Sequence, residues 1–86
     1  MYKVKYHKNV VKFLQKQDKK VVKKIVDFFD EIKKSLDFEN YDVKKLKGFE
    51  NSYRLRISKY RIIFTIKNNE LLIEVIKADS IGDIYK

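Results

Sequence analysis

The sequence predicts an α+β domain of order β-α-α-β-β-β, with a two-helix hairpin packed on one face of a small, mainly antiparallel sheet. Three observations carry that expectation. Apolar residues alternate at the start of the chain, at Tyr2, Val4 and Tyr6. Residues 8–36 carry apolar side chains at helical spacing, and residues 52–77 hold three alternating segments rich in β-branched and aromatic residues. At 86 residues the chain is expected to form one domain spanning 1–86.

The first strand is "YKVKY", with Lys3 and Lys5 on the face opposite the tyrosines. "KNVVKFLQKQ" then places Val10, Phe13, Leu14 and Gln17 at helical spacing. Asp18 is placed to cap a second helix, because its short side chain can accept from a free N–H of the first turn. In that helix Val22, Ile25, Val26, Phe29, Ile32 and Leu36 form a stripe wide enough to pack on a sheet. "DFENYDVKKLKGFEN" reads as a connector, pinned to the core by Leu46 and Phe49, with Gly48 at a turn closed to other residues. Strands are expected at 52–57, 60–67 and 70–77, joined through Ser58-Lys59 and a tight Asn68-Asn69 turn.

Composition excludes several chemistries. There is no cysteine, hence no disulfide framework or thiolate metal site. Two glycines and no proline rule out a glycine-rich phosphate loop. No apolar run approaches the roughly 20 residues of a membrane span, and the charged N-terminus lacks a signal-peptide core, so a cytoplasmic protein with no membrane partner is expected. No cofactor is expected either.

The net charge of +9 points to a polyanionic partner, nucleic acid or an acidic protein. Its location matters more than its size. Residues 1–36 carry eleven lysines against four acids, which a solvated helical face explains. Residues 52–66 carry Arg54, Arg56, Lys59 and Arg61 with no acid among them, on what reads as a hairpin.

Side chains alternate across a strand. Tyr53, Leu55 and Ile57 therefore share one face, and Arg54 and Arg56 the other. A two-residue Ser58-Lys59 turn sets Arg56 directly opposite Arg61, and like charges in that position destabilise a sheet. Three guanidiniums on one face would make an anion site, since each offers a planar fork of donors suited to phosphate. Arginines extending into water, their stems covering the sheet, are the plainer explanation. Pairing through Asn68-Asn69 sets Phe64 beside Ile73 and Ile62 beside Val75 under the helices. Ile63, Leu72 and Ile76 then fall on the arginine side, an uncovered apolar patch suited to an acidic, amphipathic protein partner.

Catalytic constellations of the usual kind are missing. His7 is the sole histidine, expected to serve as a turn or capping residue, which excludes a two-histidine ribonuclease and a Ser-His-Asp triad. Asp79 and Asp83 are expected to be solvated or capping carboxylates. No aromatic stacking platform is evident from the spacing.

The "KLKG" connector, the "YRLRI…YRIIF" hairpin and the terminal "GDIYK", set after a short strand and two basic helices, resemble the RelE side of the RelE/ParE superfamily of toxins. The resemblance covers nearly the whole chain, and the hairpin with its upstream "LKG" is its most specific part. It implies a RelE-like, microbial-ribonuclease-like fold. It also implies a toxin of a type II toxin–antitoxin system, a ribosome-dependent mRNA endonuclease working by 2′-OH attack on phosphate and neutralised by an acidic antitoxin. By position, Arg54 and Arg56 would bind phosphate and assist deprotonation of the 2′-OH, and Arg61 would stabilise the charged transition state. Tyr85 would stack on or orient the scissile nucleotide. Related chains carry arginine where this one has Ile81, a residue that neither donates a proton nor neutralises charge, so attenuated cleavage is expected. A ParE-like inhibitor of DNA gyrase without nuclease activity is the alternative, although such chains generally lack the clustered basic residues kept here. A plain nucleic-acid-binding domain ranks third.

Overall fold

Five strands build the sheet, one more than periodicity predicts. The computed structural model describes residues 1–81. They run β1 (Lys3–Tyr6), α1 (Lys8–Gln15), α2 (Lys19–Ser35), β2 (Asp42–Lys45), β3 (Ser52–Ile57), β4 (Tyr60–Lys67) and β5 (Leu72–Ser80). The sheet order is β1-β5-β4-β3-β2, with β1 parallel to β5 and every other pair antiparallel. Both helices lie on one face, as expected. None of the described helices is long and apolar enough to cross a membrane.

The unexpected strand is β2, inside the segment read as a connector. Tyr41 and Val43 turn partway inward while Asp42 and Lys44 face out, an alternation too short to stand above the noise of a polar loop. Tyr41 also donates its hydroxyl to the Glu31 carboxylate, tying this edge to α2.

The core is largely aromatic. Phe64 packs against Phe29 at 5.2 Å, Phe28 at 5.7 Å and Phe38 at 6.0 Å between ring centroids, and stacks on Tyr53 at 5.6 Å. Phe28, absent from the predicted stripe, is fully buried beside Ile25, Phe29 and Ile32. Asp18 caps α2 as predicted, its carboxylate accepting from the Lys20 N–H at 2.8 Å. Tyr60 is buried with its hydroxyl satisfied by Gln17 Oε1 at 2.9 Å.

Two expectations about the connector and the second hairpin are corrected. Leu46 and Phe49 do not pin the connector to the core: Phe49 is 66% exposed, and both residues lie on the side of the sheet away from the helices. Gly48 at φ 80° and Asn51 at φ 57° steer the chain there, so the predicted glycine turn exists but sends its neighbours the other way. Phe38, Tyr41 and Val43 pack on the core instead.

The Asn68-Asn69 turn is longer than two residues. A 3₁₀ turn over Asn68–Glu70 and a left-handed Leu71 (φ 49°) close the hairpin, so Phe64 pairs with Val75, not Ile73. A shift of two residues keeps every side chain on its predicted face. A β-bulge then breaks the ladder: Phe64 pairs with Val75 but Ile63 pairs with Lys77, leaving Ile76 as the extra residue. The cause is legible in the charges. Without the bulge, Lys77 and Asp79 would continue the inward line of Ile73 and Val75 and enter the core unpaired. With it, both turn outward, and Asn9 Nδ2 donates to the displaced Ile76 carbonyl at 3.1 Å.

Candidate functional site: the cationic sheet face

The β3–β4 register is the predicted one, with Ser58 at φ 55° in a two-residue turn and Arg56 directly opposite Arg61. Arg54, Arg56 and Arg61 therefore do share the open face. What the sequence reading missed is the pair of acids flanking them. Asp42 stands opposite Arg56 on β2, and Asp79 opposite Arg61 on β5, giving a row of acid, arginine, arginine, acid across four strands.

Arg61 and Asp79 form a fork: Nε donates to Oδ1 at 3.1 Å and Nη2 to Oδ2 at 2.8 Å. Their side chains are 33% and 28% exposed. Asp79, expected to be solvated or capping, is thus committed to an arginine. Arg54 Nη2 donates to Asp42 Oδ1 at 2.8 Å, while Arg54 Nε is buried without a partner, a local cost of about 1–3 kcal/mol. Arg56 is exposed and belongs to none of the ion pairs among the described residues. The like-charge pairing of Arg56 and Arg61 in the register is thus relieved on the β5 side, where Asp79 takes the Arg61 guanidinium, while Arg56 keeps its donors for an outside anion.

One step along the strands lies a second row: Lys44, Arg54, Ile63 and Lys77. A third row is polar. Ser52 Oγ and Thr65 Oγ1 are 2.9 Å apart, and Glu74 stands opposite Thr65. Glu74 holds the β1 edge of the face together, within 2.8 Å of His7 Nε2 and 2.5 Å of Lys67 Nζ. The hydrogen bond from His7, then that from Lys67, lowers its carboxyl to about 2. His7 does occupy the N-cap position of α1, but its side chain makes no cap hydrogen bond and serves Glu74 instead.

Ile63 and Ile76 come together beside Leu46 and Phe49, whereas Leu72 sits at the far end of β5, opposite Lys67 and Lys3. Ile81 is partly exposed and donates its backbone N–H to the Lys59 carbonyl at 2.7 Å, just past the end of the arginine row. Tyr85 and Asp83 lie outside the described residues. Asp42 and Asp79 carried no sequence signal of their own. Finding them required a four-residue strand and a bulge.

Comparison with known proteins agrees with this architecture. The family model described as the ParE toxin of the type II toxin–antitoxin system parDE matches residues 4–80. Toxin RelE3 of Methanocaldococcus jannaschii is 31% identical over 86 residues, covering 96% of this chain and 98% of that protein. The solved archaeal RelE–RelB complex from Pyrococcus horikoshii OT3 is similar at 33% identity and a TM-score of 0.82, covering 94% of this chain and 96% of that one. The toxin–antitoxin complex RelBE of E. coli, at 18% identity and a TM-score of 0.77, shares the fold over 93% of this chain and 96% of that one. The alternation, the opposed arginines and the similarity across nearly the whole chain converge: this protein belongs to the RelE/ParE superfamily of toxins from type II toxin–antitoxin systems.

Proposed function

We propose that this toxin is a ribosome-dependent mRNA endonuclease, active in the cytoplasm and silenced by an acidic RelB-like antitoxin. The observation that supports it best is the pair Arg56 and Arg61, held directly opposite each other on a sheet face that none of the described elements covers. In the reaction, the ribose 2′-oxygen bonds to the adjacent phosphorus and the bond to the 5′-oxygen breaks. Water takes the 2′-OH proton and returns one to the departing 5′-oxygen, so the products are a 2′,3′-cyclic phosphate and a 5′-hydroxyl.

Arg56 and Arg54 would seat the phosphate. Arginine is almost never neutral, so their help to 2′-OH deprotonation is electrostatic. Arg61, turned from Asp79 toward the substrate, would stabilise the charge that grows on the phosphoryl oxygens. Tyr85 would orient the scissile nucleotide. The place of the leaving-group arginine is taken by Ile81, and loss of one such donor typically costs about 10²–10³-fold in rate. Cleavage by this chain is therefore attenuated. The antitoxin would lay an acidic, amphipathic segment over the arginines and the neighbouring Ile63 and Ile76, with Leu72 at its margin.

Primer extension on translated messages tests the reading. Codon-sized cleavages should be present with the unaltered protein, stronger with Ile81→Arg, and lost with Arg61→Ala. Cleavage that survives Arg61→Ala would refute the role of that residue, and equal growth inhibition with and without Ile81→Arg would refute attenuation. The ParE description of the matching family favours a second reading, inhibition of DNA gyrase. A supercoiling assay that shows gyrase inhibition without mRNA cleavage would select it.

A further inference from the structure

The open face carries an aromatic feature that the arginine row does not use. Phe49 is 66% exposed, the largest apolar side chain so placed among the described residues. Leaving two-thirds of it in water forgoes about 1–2 kcal/mol of burial. It is not carried on a loose loop. Leu46 N–H donates to the Ser52 carbonyl at 2.9 Å, closing the segment at its base, and Ser52 N–H reaches the Phe49 carbonyl at 3.4 Å. Beside the ring is a cavity of about 160 Å³ lined by Leu46, Phe49, Ser52, Ile63, Ile76 and Lys77. A cavity of about 150 Å³ lined by Leu, Ile and Phe is enough to admit benzene, so this one has room for a six-membered ring.

The surroundings are cationic. Ile63, in the cavity wall, stands between Arg54 and Lys77 in one cross-strand row. The row holding Arg56 and Arg61 is two residues away along the same face, or about 7 Å. That is within one nucleotide's reach of a phosphate seated on Arg56. An apolar slot with an exposed aromatic wall, next to guanidiniums and a lysine, suits a ligand with a flat ring at one end and an anion at the other.

Given the RNA-cleaving reading of this face, on which the step rests, we propose that the Phe49 cavity is a nucleobase subsite. It stacks a base of single-stranded RNA flanking the phosphate held by the arginine row. Phe49 supplies the stacking face, Leu46, Ile63 and Ile76 the apolar wall, and Lys77 a cation toward the sugar–phosphate backbone.

The test uses the full chain and a short single-stranded RNA oligonucleotide at low ionic strength. Phe49→Ala lowers oligonucleotide affinity about 5- to 150-fold, the range of one base–aromatic stack, and leaves affinity for inorganic tripolyphosphate unchanged. Phe49→Tyr keeps the affinity. Arg56→Gln weakens both ligands. The chain has no tryptophan, so Phe49→Trp provides a single indole whose fluorescence the oligonucleotide quenches and an abasic oligonucleotide of equal length does not.

If Phe49→Ala binds RNA as tightly as the unaltered chain while Arg56→Gln does not, the subsite is refuted and the phosphate face stands. If the unaltered chain binds no oligonucleotide, both fall. Quenching by an acidic amphipathic peptide but not by RNA assigns the cavity to a protein partner and overturns the proposal.

Discussion

Replacing Asp79 with asparagine should make this protein bind phosphate and RNA more tightly, although it removes an ion pair. Asp79 holds both prongs of the Arg61 fork, so an incoming phosphate must compete with a resident carboxylate for the same donors. A phosphate seated on Arg56 and Arg61 lies about one inter-strand spacing, about 5 Å, from that carboxylate. Repulsion between two unit charges at that separation runs from about 1 kcal/mol at the dielectric of water to about 3 kcal/mol at the lower value typical of protein surfaces. Removing the charge while keeping the shape should raise affinity about 5- to 150-fold.

The stability cost is small, because a pair about one-third exposed is worth no more than about 1 kcal/mol. In a domain of this size that is a fall of about 4–8 °C in Tm. Titration of a fluorescent RNA oligonucleotide at two salt concentrations measures the gain, which should shrink at the higher one. Unchanged or weaker binding by Asp79→Asn at low salt, with the fold intact by circular dichroism, would show that Asp79 holds Arg61 in its binding pose and does not compete with the ligand.

Three further outcomes follow from the same geometry. Phe64→Ala, which empties the centre of the aromatic core, should cost about 3–5 kcal/mol in urea unfolding; a loss below about 1 kcal/mol would contradict the packing described. Asp18→Ala removes the α2 cap and should cost about 1 kcal/mol, while Asp18→Ser should restore most of it. Glu74 has its carboxyl lowered from 4.5 to about 2, so the stability it contributes is present above about pH 4.5 and is lost as pH falls toward 2. Glu74→Gln should flatten that part of the stability–pH curve, and an unchanged slope would mean that the contacts to His7 and Lys67 do not persist in solution.

The helices, four of the five strands and the arginine register could be read from the sequence because each rests on a repeated period or on a turn of fixed length. Arg56 opposite Arg61 follows from a two-residue turn and nothing else. What escaped depends on residues that act once. Hydrophobicity alone places Phe49 inward, but Gly48 and Asn51 rotate the loop outward, and no periodicity reports a single left-handed residue. Asp42 could be placed only after recognising a four-residue strand. Asp79 reached the face because the β5 pattern breaks at Ile76-Lys77, where strict alternation would have buried two charges. The inserted Ile76 thus settles both which acid meets Arg61 and which side chain walls the apolar cavity.

That insertion has an unusual genetic consequence. Removing one residue from a strand ordinarily turns every later side chain to the wrong face. Here an in-frame deletion of the codon for Ile76 would regularise β5 and keep Lys77 beside Ile63, Ala78 beside Ile62 and Asp79 beside Arg61. The charged row would survive while the slot next to it lost a wall. On the proposed reading of this face, a loss of one codon in this gene would uncouple base recognition from phosphate binding, a separation that point substitution achieves only one contact at a time.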